Sequence, residues 1–272
     1  GMVLAAEYLN DPATALKFYG EIGADTLDLN ACVYCRSRAS LALQSSIDLQ
    51  DLATAGKIAE QLKPYAALPS QISRLIHYHV VTGDTAVIQE LISKASKTSS
   101  TWDIQQFYFR IAAQYALLHA KTDLSNYYAK KAIALYGDKV NWKVGRCHRM
   151  LGNLAMAEKI YQAETKKHPD DPWLKGDLGV IYALQQKMKP ANAIITELES
   201  MKTEYDYGVV SYQQGKIKAN LGEKAGALKY LSTALDEGMK FQTGNTFQHD
   251  PDLIVLNGDA DYLKLITRNR EL

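Results

Sequence analysis

The sequence predicts an all-α chain, and three observations carry that expectation. Only 24 of the 272 residues are Gly or Pro, near 9% where average usage is roughly 12%, so turns are sparse. Ala and Leu number 33 and 32, which makes the two best helix formers nearly a quarter of the chain. Runs of helical pattern 12 to 20 residues long alternate with very short breaks, the layout of stacked helix hairpins.

The breaks fall in order at Asn10-Asp11-Pro12, near Ile47-Asp48 to Asp51, at Lys63-Pro64 to Pro69, Gly83-Asp84, Thr98 to Thr101, Thr122-Asp123 and Gly137-Asp138. They continue at Gly152-Asn153, His168 to Pro172, Lys189-Pro190, Gly222-Glu223 and Gly238. Asp11-Pro12 and Asp171-Pro172 pair an N-cap residue with a proline suited to a first helical turn, so helices start there. A continuous helix is expected from Asp25 to Ser46. The β-branched spell Ile76 to Val81 sits inside helical spacing, and no parallel-sheet pattern is present.

Two columns of small residues recur with the same spacing. Gly145, Gly179 and Gly215 are separated by 34 and 36 residues, and so are Ala157, Ala191 and Ala227. A large residue follows each alanine by four positions, at Tyr161, Ile195 and Leu231. Small residues let two helices approach closely, and the large ones fill the gap to the next hairpin.

Trp173, Leu178-Gly179, Tyr182 and Ala191, with Val144-Gly145, Ala157, Tyr161 and Pro169 one unit earlier, resemble the tetratricopeptide (TPR) repeat. Residues 138–238 match well, and residues 1–137 read as divergent helix hairpins. The segment from Gly238 through His249-Asp250-Pro251-Asp252-Leu253 to Ile266 is similar to the closing segment of bacterial TPR proteins, so 239–272 is expected to cap the last hairpin. Leu272 then reads as a natural C-terminus. The resemblance implies one domain over 1–272, a right-handed α-α superhelix of six to seven hairpins, acting as a protein-binding scaffold.

Charge and composition exclude several functions. Thirty-one basic residues against thirty acidic give a net charge of +1, with no global field toward nucleic acid or an anionic membrane. No apolar run approaches a membrane span and no signal-peptide pattern opens the chain, so a cytoplasmic protein is expected. Gly1 before Met2 looks like a tag-removal scar, and the chain could be the TPR portion of a larger signalling or catalytic protein. No metal or cofactor is expected. His77 and His79 point about 200° apart on a helix, and no nucleotide, metalloprotease or nucleophile-elbow motif occurs. Enzyme activity therefore has no positive support.

Cys32-Val33-Tyr34-Cys35 is the one motif of redox type. Placed inside the expected 25–46 helix it lacks a helix start, so it reads as two half-buried thiols; a thiol redox factor using Cys32 and Cys35 is the competing reading.

The binding surface is expected on the first helices of the hairpins. Trp142, Arg146 and Arg149 form one stripe, Arg110 and Gln114 lie on the analogous face of the preceding hairpin, and Tyr212, Lys216 and Asn220 on that of the last. The middle unit offers mostly apolar groups there, Val180 and Ala183 among them. Such a groove suits an acidic peptide or a C-terminal carboxylate. Charge reversal at Arg146 or Arg149 is expected to weaken binding with little loss of stability.

Overall fold

The computed structural model describes residue 2 and residues 11–23, 28–30, 32–98, 103–137, 140–239 and 247–267. Among these residues there are helices and no strands. The α-helices are α1 Pro12–Glu21, α2 Val33–Asp48, α3 Leu52–Leu62, α4 Pro69–Thr82, α5 Thr85–Thr98, α6 Ile104–Leu118, α7 Thr122–Tyr136, α8 Trp142–Met150, α9 Leu154–Lys167, α10 Pro172–Leu184, α11 Met188–Ser200, α12 Val209–Asn220, α13 Lys224–Asp236 and α14 Ala260–Thr267. Short 3-10 turns occupy Lys63–Tyr65, Phe247–His249 and Pro251–Leu256.

Helix starts follow side-chain chemistry. The carboxylates of Asp11 and Asp51 accept from Thr14 and Thr54 N–H at 3.1 and 3.0 Å. Asn141 and Asp171 cap α8 and α10 in the same way, each satisfying donors that a helix otherwise leaves open.

The repeat is written in the backbone where each first helix ends. Gln50, Gly83, Ala120, Gly152, Gln186 and Gly222 all have left-handed φ values, between 55 and 86°, and are separated by 33, 37, 32, 34 and 36 residues. In every case the next residue donates its N–H to a carbonyl five positions back. The six bonds, among them Asp51 to Ser46, Lys121 to Ala116 and Glu223 to Lys218, measure 2.8 to 3.0 Å. This is the Schellman ending, which satisfies the last carbonyls of one helix and turns the chain back for the next. Among the described residues it closes the first helix of six consecutive helix pairs: α2/α3, α4/α5, α6/α7, α8/α9, α10/α11 and α12/α13. The sequence leaves the register before residue 138 loose because Gln50 and Ala120 stand where glycine is the usual signal.

Two expectations are corrected. Helix α2 begins at Val33 and not at Asp25, with Cys32 as its N-cap residue; residues 24–27 lie outside the described residues. Pro190 is no break. It sits in the first turn of α11, where a missing N–H costs nothing. The breaks at 99–101 and at Asp138 also fall outside the described residues.

The chain divides into two compact units, an N-terminal one of Gly1–Leu124 with Thr267–Leu272 and a C-terminal one of Ser125–Ile266. In the N-terminal unit α2 packs on α3 and α4, and α4 packs on α5 and α6. Its core includes Leu43, Ile58, Leu62, Leu75, Ile76, Ile88 and Ile92, all essentially without solvent contact. In the C-terminal unit the pairs α8/α9, α10/α11 and α12/α13 pack internally, and α10 also packs on α9 and α12. One apolar cluster runs from Ala157 and Tyr161 to Ile217. A second joins Tyr212, Ala227 and Leu231 to Met239, Phe247, Leu253, Leu256 and Tyr262 of the closing segment.

The glycine column does what the spacing predicts. A β-carbon at Gly145 would lie 2.8 Å from the Tyr161 ring, and one at Gly215 would lie 2.8 Å from Leu231 Cδ2. At Gly179 it would meet Ile217 and Ile194, and Ile195 is buried in the same apolar cluster. Ala157, Ala191 and Ala227 are completely buried.

Two glycine substitutions separate backbone strain from crowding. Gly152 has φ 73° and open space around its α-carbon, so Gly152→Ala is expected to cost about 1 kcal/mol from conformation alone. Gly215→Ala is expected to cost about 1–3 kcal/mol from overpacking against Leu231. Urea unfolding of both variants checks this, and an unchanged Gly152→Ala would contradict the left-handed turn.

Candidate binding site

Trp142, Arg146, Arg149, Tyr212, Lys216 and Asn220 of the expected groove belong to the C-terminal unit, and the structure brings Arg146, Arg149, Tyr212 and Lys216 to one buried ionic cluster. Arg146 and Arg149 project from α8, and Tyr212 and Lys216 from α12. Between them stands Asp177 of α10, 3% exposed. Arg146 Nη2 lies 3.3 Å from Asp177 Oδ2, Arg149 Nη1 lies 3.6 Å from Asp177 Oδ1, and Lys216 Nζ lies 3.5 Å from the same Oδ1. Tyr161 donates its hydroxyl to Asp177 Oδ2 at 2.8 Å. The middle hairpin thus contributes an acid at the centre, while Val180 and Ala183, expected as an apolar floor, are completely buried in the apolar core.

The other carboxylates come from the closing segment. Asp252 Oδ2 accepts from Arg149 Nη1 at 3.0 Å and from Lys216 Nζ at 3.1 Å, and Asp250 Oδ2 lies 3.6 Å from Lys216 Nζ. Tyr212 donates its hydroxyl to Asp250. Asn220 Nδ2 holds the Asp252 carbonyl at 2.8 Å. The local sequence explains the shape: Asp250 caps the 3-10 turn by accepting from Asp252 N–H at 2.9 Å, and Pro251 fixes its first residue. Phe247 stacks on the Tyr212 ring, centroids 5.0 Å apart, and Trp173 meets that ring edge-on at 6.1 Å. The faces of α8 and α12 that the sequence presents as a groove for an acidic peptide therefore hold an acidic turn of the chain itself.

Three cations face three carboxylates in this cluster, so its formal charge is balanced. Burial alone would push the Asp177 carboxyl up, but Arg146, Lys216 and Arg149 hold it well below the usual carboxylate range. Asp250 is likewise pulled down against burial, chiefly by Lys216 and the Tyr212 hydroxyl. Burial would lower Lys216, yet Asp250, Asp252 and Asp177 keep its pKa above the ordinary lysine value. Tyr212 is raised by burial and by Asp250, so it stays a protonated donor. The site holds charge in place, and neither Asp177 nor Asp250 is poised as a general acid.

Trp142 and Arg146 form the open edge. Arg146 keeps 25% of its side-chain surface exposed, its guanidinium carbon sits 5.8 Å from the Trp142 ring centroid, and its Nε has no hydrogen-bond partner. Arg149 by contrast is 7% exposed and bound to two carboxylates. Reversing it would bury three like charges together, so the expected tolerance of Arg149 to reversal is withdrawn. Arg110 and Gln114 lie one turn apart on α6 in the N-terminal unit. Arg110 is buried, with its guanidinium 5.4 Å from the Phe107 ring centroid.

Elsewhere in the N-terminal unit, His77 is buried and stacks on Tyr115, its Nδ1 3.2 Å from Gln44 Oε1 and its Nε2 2.8 Å from His119 Nε2. Sequence separation hides that histidine pair. Among the described residues no group of three or more His, Cys, Asp or Glu could hold a metal ion, and no helix is long and apolar enough to cross a membrane.

Asp177→Asn is expected to cost about 3–5 kcal/mol at neutral pH, because three cations lose their central partner. The pH dependence follows from sign. The folded pKa values of Asp177 and Asp250 lie below the ordinary 3.8, so the unfolded chain protonates first and stability is lost as pH falls through and below that value. Thermal unfolding between pH 6 and 2.5 should show this loss, with a flatter profile in Asp177→Asn.

No family model matches the chain, and no curated protein matches it. Among solved structures it is similar to a tetratricopeptide repeat protein from Parabacteroides merdae, at 12% identity and a TM-score of 0.47, covering 94% of this chain and 98% of that one. It is also similar to the APC/C hetero-tetramer Cut9-Hcn1, at 14% identity and a TM-score of 0.38, covering 98% of this chain and 54% of that one. By its Schellman-ended first helices and its glycine and alanine columns, the chain is an all-α helical-repeat protein whose repeats resemble the TPR.

Proposed function

We propose that the chain is an interaction scaffold that receives an acidic peptide or protein segment along its first-helix faces, with binding and not catalysis as the role of this site. One observation carries the reading. The cationic face already accommodates an acidic turn, Asp250-Pro251-Asp252, and pairs both of its carboxylates. With that turn in place Arg146 still has only Asp177, which it shares with Arg149 and Lys216, so its charge is the one a second acidic segment would meet.

A partner segment would engage first at Trp142 and Arg146, whose side chains both keep part of their surface in solvent. Arg149, Tyr212 and Lys216 would act behind them by fixing the acidic turn that forms the back wall. Arg110 and Gln114 would offer comparable chemistry on α6 of the N-terminal unit.

The test uses the full chain with two fluorescent peptides, one carrying an Asp-Pro-Asp sequence and one in which both acids are replaced by Asn. The acidic peptide should bind at least tenfold more tightly, and Arg146→Gln should remove about 1.4 kcal/mol of that preference, a factor of ten. Thermal unfolding monitors folding of the variant, since Asp177 keeps Arg149 and Lys216. Equal binding of the two peptides would refute the proposal.

A further inference from the structure

Cys32 and Cys35 are joined by a disulfide across the first turn of α2, with their α-carbons 5.2 Å apart. Cys32 is the N-cap residue, and its Sγ accepts the Cys35 N–H at 3.1 Å. The first turn contains no acidic residue. Arg36 follows immediately and donates to the Tyr65 carbonyl at 3.3 Å. Val33 and Tyr34, between the cysteines, are 49% and 81% exposed.

These features are unlike those of a structural staple. A bridge between residues three apart constrains the unfolded chain less than any longer loop would, and this one lies half-buried beside an exposed apolar lip. The helix start supplies what a reactive pair requires. An N-cap sulfur gains from the open N–H groups and the positive end of the helix when it carries negative charge. That stabilisation is available to Cys32, whereas Cys35 already lies within the helix.

We infer that Cys32 and Cys35 form a reversible thiol–disulfide couple that exchanges with the disulfides or dithiols of partner molecules. In the reduced pair the Cys32 thiol loses its proton and its sulfur attacks one sulfur of a partner disulfide. The Cys32–partner bond forms as the partner's S–S bond breaks, and the departing sulfur leaves with the electron pair and takes up a proton. Cys35 then deprotonates and attacks Cys32 Sγ, closing the intramolecular bond and expelling the second partner sulfur as a thiol. The partner gains two electrons and the cysteine pair loses two. A partner dithiol, running the same steps in reverse, returns the pair to its reduced form.

The test is made on the reduced full-length chain with mass mapping of each cysteine, which separates Cys32 and Cys35 from buried Cys147. At pH 7 iodoacetamide should modify Cys32 at least about threefold faster than Cys35, because its larger thiolate fraction outweighs the lower nucleophilicity of a stabilised thiolate. With oxidised glutathione, Cys35→Ser should accumulate a glutathione adduct at Cys32, while the parent chain releases the adduct and closes its own disulfide. Cys32→Ser retains an N-cap hydroxyl and a folded helix start, and its Cys35 should form the adduct more slowly. A disulfide-bridged peptide with apolar flanks, run in parallel, identifies a protein partner if it exchanges faster than glutathione and the small-thiol pool if it exchanges more slowly. Equal alkylation of the two thiols, or an adduct as persistent in the parent chain as in Cys35→Ser, would overturn the inference.

Discussion

The C-terminal unit is organised around the requirement that buried charges be paired. Arg146, Arg149 and Lys216 cannot leave water without carboxylates, since an uncompensated buried ion costs several kcal/mol. Asp177 alone cannot answer three cations. Asp250 and Asp252 complete the balance, and their arrival fixes where the closing segment must run. Once it is there, Phe247 stacks on Tyr212, and Leu253, Leu256 and Tyr262 fill the apolar end of α12 and α13. Ionic pairing sets the register, and hydrophobic burial supplies the area that stabilises it.

The hairpins that present these charges depend on a simpler rule. Each first helix ends on a left-handed residue followed by the same backward hydrogen bond. Three of these positions are glycine. At Gln50, Ala120 and Gln186 a side chain occupies a conformation that costs roughly 1–2 kcal/mol, offset by the satisfied carbonyls and by packing of the helices on either side. A turn position can thus lose its glycine without losing its geometry.

That rule sets the limits of what could be read in advance. The glycine and alanine columns after residue 138 were legible because close helix approach leaves few residue choices, and Gly145, Gly179 and Gly215 have no room for a side chain. The earlier hairpins were not, because Gln50 and Ala120 carry no local turn signal. Helical projection puts the cationic residues of the groove on one face but says nothing of their partners. Asp177 shares its repeat column with Lys143 and Gln213, and an isolated aspartate on a helix gives no sign that it is buried. Asp252 carries only the signal of a capping turn. The helix start at Cys32 has no local signal, because a thiol is a rare N-cap.

The direct measure of whether the acidic turn and the cationic face form one unit is a double-mutant cycle between Arg149→Met and Asp252→Asn, read by denaturant unfolding of the full chain. Each single change takes from a buried charge one of its two partners, and the double change removes both charges, so a coupling energy of about 1–3 kcal/mol is predicted. Strict additivity of the two substitutions would contradict the account, because it would mean that the closing segment and the first-helix face are stabilised independently.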